Sequence, residues 1–296
     1  MKLVQISDFN HYIPGATSTG VIQNRDEAIL VDTGLDREAG RRILRLLEKN
    51  GLKVKAIINT HSHADHFGGN SYIVRRTDAK VYAPETEAGV IQYPYLEPLY
   101  LFSAHPVKDM LNRFLMAEPS KVDTVLDAEK VVKLELGDDF RIATVPLPGH
   151  SPAQIGVESD GILYCADSVF SERVIQRYKI PLFMDIEMQK NTLSFLEKSE
   201  YELYIPCHGA LTDDISHLVD INLKVIESVV ESILSLGKGT TEEIMKKICR
   251  QFDIKLRNFT EYSLMLATVK SYLSYLYNGG QIVAEFNDTL QWRRSD

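Results

Sequence analysis

Three of the chain's 8 histidines, together with an aspartate, fall within the six residues HSHADH of the segment NTHSHADHFGGN at residues 59–70. Such a cluster indicates metal ligation or proton transfer, because imidazole is a common metal ligand and changes charge near neutral pH. In an extended segment, positions two apart face the same side, so His61 and His63 could bind one metal ion together. Asp65 and His66 follow where the chain turns towards a helix, and they could serve a second ion about 3.5–4 Å away.

Further polar residues stand at the ends of strand-like segments elsewhere in the chain. The apolar run KVKAIINT ends at the histidine cluster, and looser versions of this arrangement end at Asp32, His150, Asp167 and His208. Loops at strand ends can aim polar groups at one point from a rigid frame, which is why sites in open sheets form there. We therefore expect these residues to converge on the histidine cluster.

The composition is that of a globular chain, with 296 residues, 44% hydrophobic and 25% charged. This length fits one large α/β domain with an appendage. A net charge of −8 disfavours, without excluding, nonspecific binding of nucleic acid. Three scattered cysteines do not make a disulfide framework, and the sequence shows neither a signal segment nor an apolar run of about 18 residues. These features predict a cytoplasmic protein that does not enter a membrane.

The last quarter of the sequence is predicted to be mainly helical. A long amphipathic helix is followed by one that begins with Thr240 and Glu243 in capping-box spacing, and by a third that ends at paired glycines. An Asn-Asp pair between two strand-like runs then indicates a hairpin. Helix, helix and hairpin in this order resemble a winged helix. We therefore divide the chain into a domain at residues 1–220 and a small helical, winged-helix-like domain at residues 221–296.

A segment at about residues 91–120 is rich in aromatic residues and interrupted by prolines, which is typical of an insertion into the first domain. We expect a helix near residues 106–117. The aromatic side chains could form an apolar wall or lid of a substrate pocket, suited to an acyl group. A packed helical arm or a contact within a homodimer is an equal alternative. The aromatic residues concerned are Tyr93, Tyr95, Tyr100 and Phe102.

The six residues HSHADH resemble the HxHxDH signature of the metallo-β-lactamase superfamily, and the similarity extends over about residues 10–215. The motifs VDTG, PGHSPAQIG, CADSVF and PCHG supply candidates for the other family positions in the expected order. The resemblance implies an α+β fold, a four-layer αββα sandwich, around two divalent metal ions. By this analogy His61, His63 and His150 hold the first ion and Asp65, His66 and His208 the second, while Asp167 bridges both and Asp32 orients the ligand loop.

The predicted pair of metal ions favours hydrolysis. Two divalent ions that share a water molecule lower its pKa towards neutrality, so metal-bound hydroxide becomes available as the nucleophile. The same ions polarise a carbonyl or phosphoryl oxygen in the transition state. Asp65 is the predicted catalytic residue, because it can orient the hydroxide and receive its proton. Zinc is the favoured metal, with iron or manganese as alternatives.

The segments THSHADHFGG and LPGHSPAQIGV resemble glyoxalase II and related thioesterases. The resemblance predicts hydrolysis of a small-molecule thioester or ester. The C-terminal region resembles instead the extension of β-lactamase-like hydrolases that include an endoribonuclease, so a metal-dependent endoribonuclease or phosphodiesterase is the main alternative. The basic run around Lys246 and Lys247 is diluted by acidic residues, which does not favour nucleic acid. A single-iron persulfide dioxygenase and a module with purely structural metals are further alternatives.

Overall fold

The computed structural model describes residues 1–137 and 140–295. Two facing β-sheets form its centre. Within the described residues, the first sheet has seven strands in chain order: β1 (Val4–Gln5), β2 (Asn10–Ile13), β3 (Thr19–Asn24), β4 (Glu27–Val31), β5 (Lys53–Ile58), β6 (Lys80–Pro84) and β7 (Thr124–Leu126). The second sheet runs in reverse order from β12 to β8, with β8 (Val132–Leu134), β9 (Ile142–Pro146), β10 (Ile155–Ser159), β11 (Ile162–Ala166) and β12 (Leu203–Pro206).

Parallel pairing aligns the strand ends that matter for the site. β4 pairs parallel with β5, and Val31 at the end of β4 lies beside Ile58 at the end of β5. In the second sheet β11 pairs parallel with β12, and Ala166 lies beside Pro206. Parallel neighbours end at the same edge of a sheet. The residues that follow each pair of strands therefore leave the sheets side by side.

Helices cover the outer faces of the two sheets. α1 (Arg37–Lys49) begins after Asp36, whose carboxylate accepts a hydrogen bond from the amide of Ala39 and so caps the first turn. The described α-helices after α1 are α2 (Ala64–Phe67), α3 (Asn70–Val74), α4 (Glu85–Gln92), α5 (Leu96–Phe102), α6 (Glu172–Tyr178), α7 (Ile186–Lys198), α8 (Ser216–Ser235), α9 (Thr241–Gln251) and α10 (Phe259–Asn278). None of the described helices is both long and apolar enough to span a bilayer.

Hydrophobic clusters separate four layers. One cluster lies between α1 and the first sheet, one between the two sheets, and one between the second sheet and the helices α7 to α10. Neighbouring residues of β4 serve different clusters, because successive side chains of a strand point to opposite faces. Leu30 belongs to the outer cluster with Leu47 of α1, whereas Ile29 belongs to the inner cluster with Val157 of β10. The predicted four-layer αββα sandwich is thus confirmed.

The C-terminal region adds helices and a small sheet. A two-residue strand, β13 (Lys238–Gly239), follows α8, and a hairpin of β14 (Ile282–Phe286) and β15 (Leu290–Arg294) follows α10. These strands form an antiparallel sheet in the order β13-β15-β14. The predicted hairpin is confirmed, and so is the capping box in which Thr240 and Glu243 satisfy each other's backbone amides.

The C-terminal helices share one hydrophobic cluster with the second sheet. Ile226 of α8, Ile248 of α9 and Tyr272 of α10 all belong to the cluster that contains Leu163 of β11. The observed order of elements keeps the helix, helix and hairpin on which the winged-helix resemblance rests. The winged-helix assignment and the domain boundary at residue 220, which lies inside α8, stay predictions.

The prediction of a helix near residues 106–117 is wrong. A 3-10 turn at Lys108–Met110 is the only helical element described there, and the chain is otherwise irregular. The side chain of Asn112 bonds to the backbone on both sides of itself, which competes with helical hydrogen bonds. Met110 and Leu115 are instead buried against α10. Tertiary packing, rather than local helix propensity, sets the conformation of this segment.

Close packing of α1 allows only glycine at residue 40. A methyl carbon on Gly40 would lie 2.5 Å from the carbonyl oxygen of Gly69. Because overpacking typically costs about 1–3 kcal/mol, we expect Gly40→Ala to lower the free energy of unfolding by that amount. Gly89 in α4 has nothing within 4 Å of such a carbon, so Gly89→Ala should raise it by about 0.5–1 kcal/mol. Urea denaturation measures both, and similar effects of the two substitutions would contradict this account.

Candidate metal centre

The structure brings the histidines and aspartates singled out in the sequence together where the two sheets meet. β5 and α2 supply one segment, and the loops after β9, β11 and β12 supply the others. The potential ligand atoms form overlapping groups in which every atom lies within 4.8 Å of the rest. Three of these groups are His61, His63 and His150; Asp65, His66 and His208; and His61, His66 and Asp167.

The first group consists of three imidazoles, and we call it the three-histidine group. His63 lies between the other two, with its Nδ1 3.1 Å from Nε2 of His61 and 2.9 Å from Nε2 of His150. The His63 ring is nearly perpendicular to both neighbours, with interplanar angles of 85° and 82°. Ring nitrogens rather than ring faces therefore converge.

Backbone carbonyls fix the orientation of two histidines. Nδ1 of His150 lies 2.8 Å from the carbonyl oxygen of Leu182, and Nδ1 of His208 lies 2.7 Å from that of Ala16. A carbonyl oxygen can only accept a hydrogen bond, so Nδ1 carries a proton in each ring. When these rings are neutral, each therefore presents an Nε2 lone pair to the centre.

Asp32 fixes the orientation of two more. Its Oδ2 accepts hydrogen bonds from His66 Nδ1 and from the Thr60 hydroxyl, both at 2.8 Å, and its Oδ1 accepts from the Thr60 amide at 2.9 Å. Because the Thr60 hydroxyl donates to Asp32, its oxygen is left to accept from His61 Nδ1, 3.1 Å away. Asp32 is fully buried, and its backbone has the left-handed conformation, with φ 63°, which aspartate tolerates better than most residues do. Both rings therefore turn Nε2 towards the centre.

Asp167 lies between the two groups of histidines. Its Oδ2 is 3.2 Å from His208 Nε2, 3.5 Å from His150 Nε2 and 3.6 Å from His66 Nε2. Asp65 also lies near two of these histidines, with its Oδ2 3.5 Å from His208 Nε2 and its Oδ1 3.8 Å from His66 Nε2. One carboxylate oxygen of Asp167 is therefore shared by histidines of both groups.

Two buried atoms at the centre lack a hydrogen-bond partner within the described part of the chain. They are His66 Nε2 and Asp167 Oδ1. An unpaired buried polar atom costs free energy, so such atoms need an explanation. A divalent cation would satisfy both, because imidazole nitrogens and carboxylate oxygens are ligands that zinc, iron and manganese accept. The residues present therefore fit bound metal ions.

Burial and charge give the two groups different electrostatics. Burial lowers the pKa of His63 and of His150 to about 4. Asp167 raises the pKa of His208 to about 9, against the effect of burial. Burial would also lower the pKa of His66, but Asp167 and its neighbouring carboxylates outweigh it and raise that pKa well above its usual range. His63 and His150 are thus neutral, as ligation requires, while the aspartates create a field that attracts cations.

Solvent reaches the centre from one side. The side chain of Asp65 is 34% exposed and that of His208 is 20% exposed, whereas His61 and His66 are fully buried. The Thr17 hydroxyl donates a hydrogen bond of 2.7 Å to Asp65 Oδ2 and so orients the exposed carboxylate. A substrate that approaches from solvent would therefore meet Asp65 and His208 first.

The aromatic residues of the insertion have different surroundings. Tyr93 is 69% exposed, the Tyr95 hydroxyl contacts a surface histidine 2.8 Å away, and Phe102 packs in the cluster with α10. Tyr100 is 41% exposed overall. Burial, followed by the effect of Glu97, raises its pKa well above the usual value. These four side chains therefore do not share one environment.

Two buried acids near the centre were missed in the sequence. Glu87 is 1% exposed and accepts hydrogen bonds from Ser62 and Ser151, which adjoin histidines of the centre. Glu97 is 2% exposed, and its Oε2 has no partner among the described residues. Burial, then Asp65 and Glu87, raises the Glu97 pKa well above its usual range. Glu87 follows β6 much as the histidines and aspartates of the centre follow their strands, so its position in the sequence could have indicated a site residue. Glu97 lies within α5, and its position gives no such indication.

Comparison with known families assigns the fold. The family described as the metallo-beta-lactamase superfamily matches residues 12–208. This chain belongs to the metallo-beta-lactamase superfamily. The matched region contains the two large sheets, except for the edge strand β1 and the first two residues of β2, and all the histidines of the centre. The superfamily membership expected from HSHADH is therefore confirmed.

The curated relatives include hydroxyacylglutathione hydrolases, the enzyme also called glyoxalase II. The protein of that name from Vibrio cholerae serotype O1 is 31% identical over 152 residues, which are 51% of this chain and 46% of that protein. The one from Blochmanniella pennsylvanica is 26% identical over 183 residues, 58% of this chain and 57% of that protein. This superfamily member thus spans about half the length of the curated relatives it matches. The glyoxalase II likeness expected from the sequence is confirmed.

Solved structures share the fold over nearly the whole chain. A beta-lactamase domain protein from Burkholderia ambifaria matches with a TM-score of 0.72 at 18% identity, covering 99% of this chain and 93% of that one. A metallo-beta-lactamase family protein from Thermus thermophilus matches with a TM-score of 0.72 at 20% identity, covering 99% and 97%. Identities this low show the fold alone, and the covered region extends over the C-terminal helices.

Glu97 should make the protein less stable as the pH rises. Its folded pKa lies well above the usual value of 4.5, so the folded state keeps a proton that the unfolded state loses. Glu97→Gln removes this titration. Relative to that variant, the wild-type free energy of unfolding should be highest below pH 4.5 and fall by about 1.4 kcal/mol per pH unit until the folded pKa is reached. Urea denaturation across this pH range tests the expectation, and parallel curves for the two proteins would refute it.

Proposed function

We propose that this protein is a metal-dependent hydrolase that binds two divalent metal ions and cleaves a thioester or ester. The supporting observation is the convergence of imidazole nitrogens on Asp167, whose Oδ2 lies 3.2 to 3.6 Å from histidines of both groups. Zinc is the proposed metal, with iron or manganese as alternatives. We assign the first ion to His61, His63 and His150, the second to Asp65, His66 and His208, and Asp167 to both.

The side chains around the ions have distinct tasks in this proposal. Bound at these ligands, the ions would supply an activated water molecule and polarise the substrate carbonyl. Asp65, held by Thr17 and open to solvent, orients that water and accepts its proton. Asp32 holds Nδ1 of His66, so the ring keeps its orientation while charge develops on the substrate. The exposed side at His208 leaves room for the acyl group.

The substrate class rests on the relatives and on the acid–base groups assigned here. A hydroxyacylglutathione, the compound in the relatives' name, is a thioester. A thiol has a pKa of about 8.5, so it can leave as a thiolate without being protonated first. Thioester hydrolysis therefore needs a group that accepts the water proton but no dedicated general acid. Asp65 as the single assigned proton acceptor meets that need.

Replacing Asp167 should lower both the number of bound metal ions and the rate of hydrolysis. Asp167→Asn keeps the shape but removes the charge that both ions share, so we expect less than two bound ions per chain. The loss in kcat/KM should be at least about 100-fold, because even outer partners of metal ligands are worth about 10- to 100-fold. Asp213→Asn makes the same chemical change at an exposed position and should leave both quantities unchanged. Elemental analysis and thioester kinetics measure them.

The alternatives give different outcomes in one assay panel. Zinc-, iron- and manganese-loaded protein should be offered acyl thioesters, carboxylic esters, single-stranded RNA and, under oxygen, a persulfide. We expect thioester or ester turnover that chelators abolish and zinc restores. Cleavage of RNA alone would support the endoribonuclease, and oxygen consumption with the persulfide would support the dioxygenase. Full hydrolytic activity in metal-free protein would reject the proposed function.

A further inference from the structure

Glu87 connects two loops that carry histidines of the centre. Its Oε2 accepts hydrogen bonds from the amide and the hydroxyl of Ser62, at 2.9 and 2.6 Å. Its Oε1 accepts from the hydroxyl of Ser151 at 2.5 Å and from the amide of Ala153 at 3.0 Å. All four groups are buried. One carboxyl group thus binds segments that lie 25 and 64 residues away in the sequence.

The bonded residues adjoin the three-histidine group. Ser62 lies between His61 and His63, and Ser151 directly follows His150. The four hydrogen bonds come from these two loops, and none of them comes from the helix to which Glu87 belongs. A buried acid that only needed solvation could be satisfied by donors of any origin. Because all four donors belong to these two loops, the hydrogen bonds of Glu87 hold the loops together.

A carboxyl group suits this position. Glu87 is the third residue of α4, where the helix dipole favours negative charge. Each of its oxygens accepts two hydrogen bonds, and such charge-assisted bonds are short and strong. A glutamine of the same shape would place an amide NH₂ group against donors on one side. The link to one loop would then be lost, and the two loops could move relative to each other.

The other group of ligands is held by different residues. Thr17 bonds to Asp65, Asp32 bonds to His66, and the Ala16 carbonyl accepts from His208. Glu87 makes none of these hydrogen bonds. A defect at Glu87 should therefore weaken one metal site and spare the other.

We propose that Glu87 is a positioning residue that sets the spacing of His61, His63 and His150 and thereby the affinity of the metal ion they hold. This inference rests on the proposed function, since it presumes a metal ion at the three-histidine group. It predicts a selective effect on one of two binding steps. A merely structural role would weaken both steps together, through loss of stability.

Stepwise zinc dissociation constants test the proposal. Competition with a chromophoric chelator gives both constants, and His63→Ala and His208→Ala identify which step belongs to which group. We expect Glu87→Gln to weaken the three-histidine step by about 10- to 100-fold, as for outer partners of other metal ligands, and to change the other step less than about threefold. Glu85→Gln removes the same charge from an exposed position of the same helix and should change neither step.

Ser151→Ala is a milder second variant, because it removes one hydrogen bond and leaves Glu87 in place. It should weaken the same step by about three- to tenfold. It also keeps the proposal testable if Glu87→Gln does not fold, which thermal unfolding followed by circular dichroism would reveal. Unchanged constants in the folded variants, or equal weakening of both steps, would overturn the inference. Wild-type protein that binds no zinc would instead overturn the proposed function itself.

Discussion

Hydrogen bonds donated by the Nδ1 atoms of the histidines other than His63 are the interactions on which the centre depends. His66 donates to Asp32, while His150 and His208 donate to backbone carbonyls. An imidazole on a freely rotating side chain would lose entropy on binding a metal and could present either nitrogen. Fixing Nδ1 selects the tautomer and the ring orientation before any metal binds. The centre is therefore organised by acceptors that carry no ligand role themselves.

These acceptors are in place because two sheets end at the same location. Val31 and Ile58 are neighbours in the first sheet, as are Ala166 and Pro206 in the second. The cluster between the sheets holds these two pairs of strands face to face, with Tyr164 of β11 packed across Gly20 of β3 so closely that a side chain on the glycine would collide with its ring. Apolar packing thus sets the distance across which imidazoles and carboxylates meet. Stability and ligand geometry have the same source in this fold.

The sequence encodes this part of the protein well, because apolar strands ending in histidine or aspartate are a local signal that also marks a spatial edge. For Glu87 the sequence shows only that a glutamate follows β6, because the importance of that residue lies in contacts with residues 25 and 64 positions away. The helix expected near residues 106–117 failed for a related reason. Met110 is apolar where a helix would suit it, yet its burial is provided by α10, which comes some 150 residues later. Long-range packing decided each of these cases.

That packing also bears on the insertion, which the sequence left open as a wall, a lid, a helical arm or a dimer contact. Met110 is fully buried, and its sulfur accepts a hydrogen bond from the Ser263 hydroxyl of α10. The amide of Asn112 donates to the Thr260 hydroxyl of the same helix. Opening the insertion would expose the methionine and break both contacts, which costs free energy on each count. We infer that the insertion is fixed against α10 rather than a moving lid, which leaves the wall, the helical arm and the dimer contact as predictions. Glu97, which keeps its proton, and Tyr100 belong to α5, which packs on α10 through Leu101. The C-terminal helices therefore support neutral groups near the centre without contributing a histidine or aspartate to it.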